Sequence, residues 1–426
     1  MMLSMLDTDL YKFTVSEAYF ELFRNAQGTF TFKDRSNFNW IKHFIQKAGD
    51  ETKGLKMLDD FKTKIEMAFQ QIGNIALTDE EFNWLTHTPT LQYMSYVYFE
   101  WLKTFRFDPS KINFSFDKNG VIQIDVTDYM YKVTLYEIPI LETISEIRNA
   151  ELYNGCNLDK VREIIDTKID YANAHNIKFS EFGTRRRFNS NVQEVIIQEL
   201  KNKCPVNCLG TSNVYFAMKY NMKASGTFPH EWVMFHEGVY GFKRANYLAA
   251  KDWAKVYHGD LGIYLVDTLT TKSFLHTLTL DIAKLFDGFR QDSGDEREVG
   301  NMIVDKLVEL GIDPTTKTII FSNALTFKKA EQIQRYFKGI VKTGFGIGTY
   351  LTCDPGIDNF EAPNMVMKLS KCRFSPRDFW EPVIKISDDL GKHMGDPELF
   401  RIAAKELHFK ELRIDFDHQT NHGTFQ

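Results

Sequence analysis

From Lys178 onward the chain repeats one pattern, a short apolar run ending in Gly, Asp, Ser or Arg and then a helix-like segment. The runs are KFSEFGTRR (Lys178–Arg186), KASGTFPHE (Lys223–Glu231), GIYLVDTLTT (Gly262–Thr271), KLFDGFRQDSGD (Lys284–Asp295), TIIFSNALT (Thr318–Thr326), IVKTGFGIGT (Ile340–Thr349) and MVMKLSKC (Met365–Cys372). NCLGTSNVYFAM fits the series less clearly. Strands joined through helices must run parallel, because only a long crossover returns the chain to the same end of a sheet. Seven or eight such units within about 200 residues predict an α/β fold with a closed or nearly closed (β/α) barrel, whose chemistry sits where the strands end. A doubly wound sheet is the alternative.

The first stretch of the chain has a different texture. TFTFKDR alternates like a half-buried strand, and INFSFDKNGVIQIDV reads as a hairpin turning at Asn119-Gly120. The expected division is an N-terminal α+β domain over 1–140, the barrel over 141–372 and a C-terminal extension over 373–426. The extension carries one more strand-like run, EPVIKIS, and is expected to pack back on the first domain.

Charge excludes some partners. A net charge of -5 disfavours a general nucleic-acid or membrane-surface binder. No apolar run nears the roughly 18 residues of a membrane helix. MMLSMLDTDLYKFT has no basic start, and Asp7 and Asp9 fall where a signal core would be apolar, so a cytoplasmic protein is expected. The five cysteines are scattered, and CPVNC has no second pair to complete a zinc site, so buried thiols are the reading.

The strand ends carry the chemistry. His230 follows Gly226-Thr227 and a proline and opens a helix-like segment. His236, six residues on, lies about 240° further round a helix, so the two cannot share a zinc ion. A capping histidine, a general acid/base and a nucleophile stay open from the motif alone. In FDGFRQDSGD, Arg290 and Asp292 fall near the rim with Asp287 and Asp295, where carboxylates can hold ribose hydroxyls; helix capping is the plainer use. GFGIGTY brings Gly346, Gly348 and Thr349 to a turn suited to one phosphate, and it lacks the third glycine of a dinucleotide fingerprint. Arg185, Arg186 and Arg187 could meet a phosphate or carboxylate. Asp267-Thr268, Ser322-Asn323 and Ser212 in GTSN read alone as caps, and gain weight by recurring at one rim. GDETKGLK has Leu55 at the lysine position of a P-loop, so any ATP binds without that cradle.

In order along the chain, LDTDLYKFT, EFGTRR, LGTSN, SGTFPHEW, LVDT, FRQDSGD, FSNAL and GFGIGT resemble the nicotinate phosphoribosyltransferases of NAD salvage. The resemblance implies an irregular (β/α) barrel joined to an N-terminal α+β domain, often with dimeric sites. It implies an ATP-coupled ligase that makes nicotinate mononucleotide and pyrophosphate from nicotinate and phosphoribosyl pyrophosphate through a phosphohistidine. By motif, the phosphorylated residue falls on His230. Thr227 and Ser212 fall at the nicotinate, Tyr11 on the pyridine ring, Arg290 and Arg185 at the carboxylate, and Asp292 at the ribose. Asp267 joins the substrate-binding set, and Gly346, Gly348 and Thr349 form the 5′-phosphate loop. Mg²⁺ is implied as cofactor, with no side chain assigned as its ligand. Phe228-Pro229 departs from the smaller residues usual before the histidine. The rivals are the amide-using nicotinamide phosphoribosyltransferase, which carries an acid where Ser212 stands, and a sugar-phosphate barrel enzyme using Lys342 or Lys368 as a Schiff base. A non-catalytic nucleotide sensor is the third, opposed by the intact His230, Arg290 and Asp292.

Overall fold

The structure, a computed structural model, describes residues 2–226, 228–389 and 392–407. Two sheets organise them. The first is antiparallel, in the order β11-β10-β1-β3-β2, with β1 over Gln27–Asp34, β2 over Ile112–Phe116, β3 over Ile122–Tyr129, β10 over Met365–Arg373 and β11 over Glu381–Pro382. The predicted alternation holds in β1, where Phe30 and Phe32 are buried. The hairpin also forms, with a five-residue turn rather than a two-residue one. Asp117 accepts from the Asn119 and Val121 N–H groups, and Gly120 takes the left-handed φ of 72°.

The second sheet is parallel, in the order β5-β4-β9-β8-β7-β6, formed by β4 (Phe179–Glu181), β5 (Cys208–Thr211), β6 (Ile263–Leu265), β7 (Gly288–Gln291), β8 (Thr318–Phe321) and β9 (Lys342–Ile347). Its first strand in sequence, β4, pairs with its last, β9. That pairing suits a ring rather than a doubly wound sheet, which reverses its order at a switch point. Among the described residues, however, no ladder joins β5 to β6, so the sheet is six-stranded and unclosed where a barrel is expected.

Two of the anticipated units explain the difference. KASGTFPHE contributes only an isolated parallel bridge, Thr211 to Ala224, beside β5. MVMKLSKC is not a unit of the parallel series. As β10 it runs antiparallel to β1, from Gln27 opposite Arg373 to Asp34 opposite Met365. Its apolar run satisfies either partner, since both faces of β10 are covered over most of its length.

The tail returns to the first sheet through β11, which pairs with β10. It then leaves that sheet and crosses to the parallel one, where Ile386 bridges Leu269 just after β6. No helix among the described residues is long and apolar enough to cross a membrane.

Candidate active site

A cavity of about 720 Å³ lies over the C-terminal ends of the parallel strands. Parallel strands deliver their following loops to one edge, so residues far apart in sequence converge there. Of the residues expected from sequence, Tyr11, Arg185, Ser212, His230, Arg290, Asp292, Gly346, Gly348 and Thr349 line it. Asp267 lies just behind the wall, fully buried. Thr227 lies outside the described residues.

His230 begins the helix His230–Tyr240. Its Nδ1 is 2.9 Å from Thr268 Oγ1 and its Nε2 is 3.3 Å from Asp292 Oδ2. A carboxylate at Nε2 fits the tautomer that carries its proton there, leaving Nδ1 to accept from the threonine. Burial, with the Lys385 ammonium nearby, pushes the imidazole down to about 4, so it is neutral at physiological pH. His236 turns away, between the Trp232 carbonyl at 2.6 Å and Asp252 at 3.1 Å.

Asp292 and Arg290 are locked together. Ser322 Oγ accepts from Arg290 Nε at 3.0 Å and donates to Asp292 Oδ1 at 2.8 Å. Burial alone would raise the Asp292 carboxyl, but the Arg290 guanidinium and the His230 bond hold it well below the usual range. Ser293 Oγ in turn donates to Asp267 Oδ2 at 2.5 Å. Thus Thr268, Ser322 and Asp267, read in isolation as caps, orient the site. Asp295 does cap the helix Glu296–Glu309, accepting from two backbone N–H groups, and Asn213 caps the helix after β5.

The three arginines after β4 part company. Arg185 and Arg186 line the cavity. Arg187 does not; it is buried against Asp7 at 2.8 Å, Glu142 at 3.1 Å and Glu146 at 3.0 Å. Gly346 and Gly348 are demanded by packing as well as by any ligand. A Cβ on Gly346 would lie 2.5 Å from the Phe182 ring, and one on Gly348 would lie 2.7 Å from the Phe182 carbonyl oxygen.

Ser212 donates to Asp9 Oδ1 at 2.6 Å, so an acid stands beside the serine. Burial raises the Asp9 carboxyl, which favours its neutral form. Lys368 also lines the cavity, and burial pushes it down to about 7 despite Glu137 at 4.0 Å. Lys342 is exposed at the opposite, N-terminal end of β9.

Sequence reasoning missed Arg35 at the end of the first alternating strand, and Lys385, Lys392 and Asp389 from the tail. Lys392 Nζ donates to Asp292 O at 2.8 Å and to Asn323 Oδ1 at 2.6 Å. Lys385 is 3.7 Å from Asp267 Oδ2. The one signal was a lysine inside the apolar run of EPVIKIS. His230, Asp267 and Asp292 also form a group of possible metal-ligating side chains, their donor atoms within 4.8 Å of one another.

A parallel sheet with a cation-rich cavity over its strand ends defines an α/β protein whose site suits an anionic ligand. The nicotinate phosphoribosyltransferase family model matches residues 177–411, and the model of that family's N-terminal domain matches residues 6–145. A nicotinate phosphoribosyltransferase of Desulforapulum autotrophicum is 38% identical over 96% of this chain and 99% of its own, and one of Chromohalobacter salexigens is 35% identical over 95% and 98%. The crystal structure of a nicotinate phosphoribosyltransferase from Porphyromonas gingivalis superposes with a TM-score of 0.88 at 38% identity, covering 96% of this chain and all of that one. The chain belongs to the nicotinate phosphoribosyltransferase family.

Proposed function

We propose that the protein joins nicotinate to the ribose C1 of phosphoribosyl pyrophosphate, releasing pyrophosphate and nicotinate mononucleotide, with ATP hydrolysis coupled through a phosphate carried on His230. The observation that carries this reading is a neutral, buried histidine hydrogen-bonded to Asp292 at the edge of a cavity ringed by Arg35, Arg185, Arg186, Arg290, Lys385 and Lys392. Such a ring suits a substrate bearing a phosphate and a diphosphate, because each phosphate oxygen can meet a cation.

In this reading Tyr11 offers its ring to the pyridine, and Arg185 and Arg290 face its carboxylate. Asp292 stays anionic close to the ribose, where it favours the positive charge that develops at C1 as the diphosphate leaves. His230 attacks the ATP γ-phosphorus through the unprotonated Nδ1, the bond to the bridging oxygen breaks and ADP leaves, while the Nε2 proton is shared with the Asp292 carboxylate. Water then releases the phosphate.

Mg²⁺ fits the carboxylates of this site better than its imidazole, since it prefers oxygen donors and shares them with substrate phosphates. Asp267 Oδ1, buried and without a hydrogen-bond partner, and Asp292 would hold it. When bound it would neutralise the departing diphosphate.

The test is direct. Purified protein is mixed with nicotinate, phosphoribosyl pyrophosphate and Mg²⁺, with and without ATP, and the mononucleotide is assayed. Mononucleotide formed faster with ATP is expected, with ADP and phosphate released. No mononucleotide under either condition overturns the assignment, and equal rates overturn the coupling.

A further inference from the structure

Between the two sheets the chain changes partners within a few residues. Val383 N–H donates to the Ser370 carbonyl of β10, on the antiparallel side. Ile386 N–H donates to the Thr268 carbonyl, on the loop that follows β6. Ile384 lies at the crossing, fully buried, and neither sheet takes its N–H. A buried N–H without an acceptor is costly, so something must fill the gap. Glu237 fills it, its Oε1 accepting from Ile384 N.

Glu237 stands on the helix His230–Tyr240, seven residues after His230 and therefore on the same face. This helix is pressed close to the crossing. A Cβ on Gly238 would lie 2.6 Å from Cys372 Sγ and 2.8 Å from Val383 Cγ1. Glu237 Oε2 has no hydrogen-bond partner, and burial pushes the carboxyl well above its usual range, so it serves as a neutral acid. It does not line the cavity, whereas the residue after Ile384, Lys385, does.

We propose that Glu237 is a positioning residue for Lys385. By bonding the Ile384 N–H it fixes where the tail crosses from one sheet to the other, and so where the Lys385 ammonium enters the cavity. The helix that presents His230 thereby also holds the cation that meets the diphosphate. This rests on the proposed function only in taking diphosphate as the partner of Lys385.

The probe is inorganic pyrophosphate with Mg²⁺, titrated calorimetrically into the full chain and its variants. Glu237→Gln keeps a neutral acceptor and should bind within about twofold of wild type, whereas Glu237→Leu should bind about tenfold more weakly, the scale of one lost buried hydrogen bond. Lys385→Met should lose at least as much, and Glu237→Leu with Lys385→Met should be no weaker than Lys385→Met alone, because both act on one contact. The KM for nicotinate should stay unchanged in Glu237→Leu, which a general loss of structure would not allow. Should the leucine chain fail to fold, Glu237→Ala takes its place, with weakened pyrophosphate binding and an unchanged nicotinate KM again expected. Wild-type affinity in the leucine or alanine chain, a glutamine chain as weak as the leucine one, or additive losses in the double variant overturns the inference. A wild-type chain that binds no pyrophosphate instead overturns the reading of the cavity itself.

Discussion

At the scale of single residues, His230 differs from the equally buried His236 in lining the cavity. Its two ring nitrogens meet Thr268 and Asp292, and no backbone group competes for them. His230→Asn keeps an amide near the same partners but removes the nucleophile. It should abolish acid-labile labelling by ATP and the accompanying ATP hydrolysis, yet leave slow mononucleotide synthesis at high phosphoribosyl pyrophosphate. Full ATP stimulation in that variant would sink the phosphohistidine. Lys368 makes a pH prediction. Burial lowers it to about 7, so its charge is complete below that pH and is lost above it. A cation facing phosphates helps binding only while charged. The kcat/KM for phosphoribosyl pyrophosphate should therefore fall as pH rises through about 7, and Lys368→Arg should flatten that limb of the profile. A wild-type profile level from pH 6 to pH 9 on a scale of about one unit per ionisation would remove Lys368 from substrate binding.

Elements matter here chiefly as carriers of loops. The parallel strands are short, three to six residues and mostly buried, and the following residues are thrown to one rim. The loop after β4 shows how such a rim is held in place. Arg187 pulls it onto the N-terminal segment through Asp7 and onto Glu142, both out of water, and onto the partly buried Glu146. The neighbouring Arg185 is thereby free to face the cavity, and Asp9 and Tyr11 are carried to its other wall. Arg187→Met would strand the buried Asp7 carboxylate, which Arg187 holds ionised, without its cation, a change that costs about 3–5 kcal/mol when a buried ion pair loses one partner. Urea unfolding should show a loss of that size, and a loss below about 1 kcal/mol would mean the acids find protons or other donors.

At the scale of the whole molecule, residues from both halves of the chain line the cavity. Tyr11 from the start of the helix Leu10–Leu22 and His230 from the parallel half line the same space. Mixing Tyr11→Ala chains with His230→Asn chains should therefore give no more activity than the two measured apart. A gain on mixing would show that intact sites form across subunits.

Much of this architecture was legible in the chain because it is locally determined. A short run of apolar residues followed by Gly, Asp or Ser declares a buried strand and its exit in six of the runs, though not in KASGTFPHE, which makes only a bridge. His230, Arg290, Asp292 and Arg185 could be found because each sits at a helix start or within a few residues of a strand end. What the chain could not reveal was partnership. Met365–Arg373 reads equally well as a parallel strand, and only pairing with Gln27–Asp34, more than 300 residues away, makes it antiparallel. Closure of the barrel depended on the same choice and did not follow. Lys385 and Lys392 reach the cavity only because the tail crosses between sheets, and Asp9 meets Ser212 only when the N-terminal segment is laid across β5. Sequence periodicity says which faces must be buried; which surface buries them is decided by the free energy of the assembled core, and the charges of the site follow that decision.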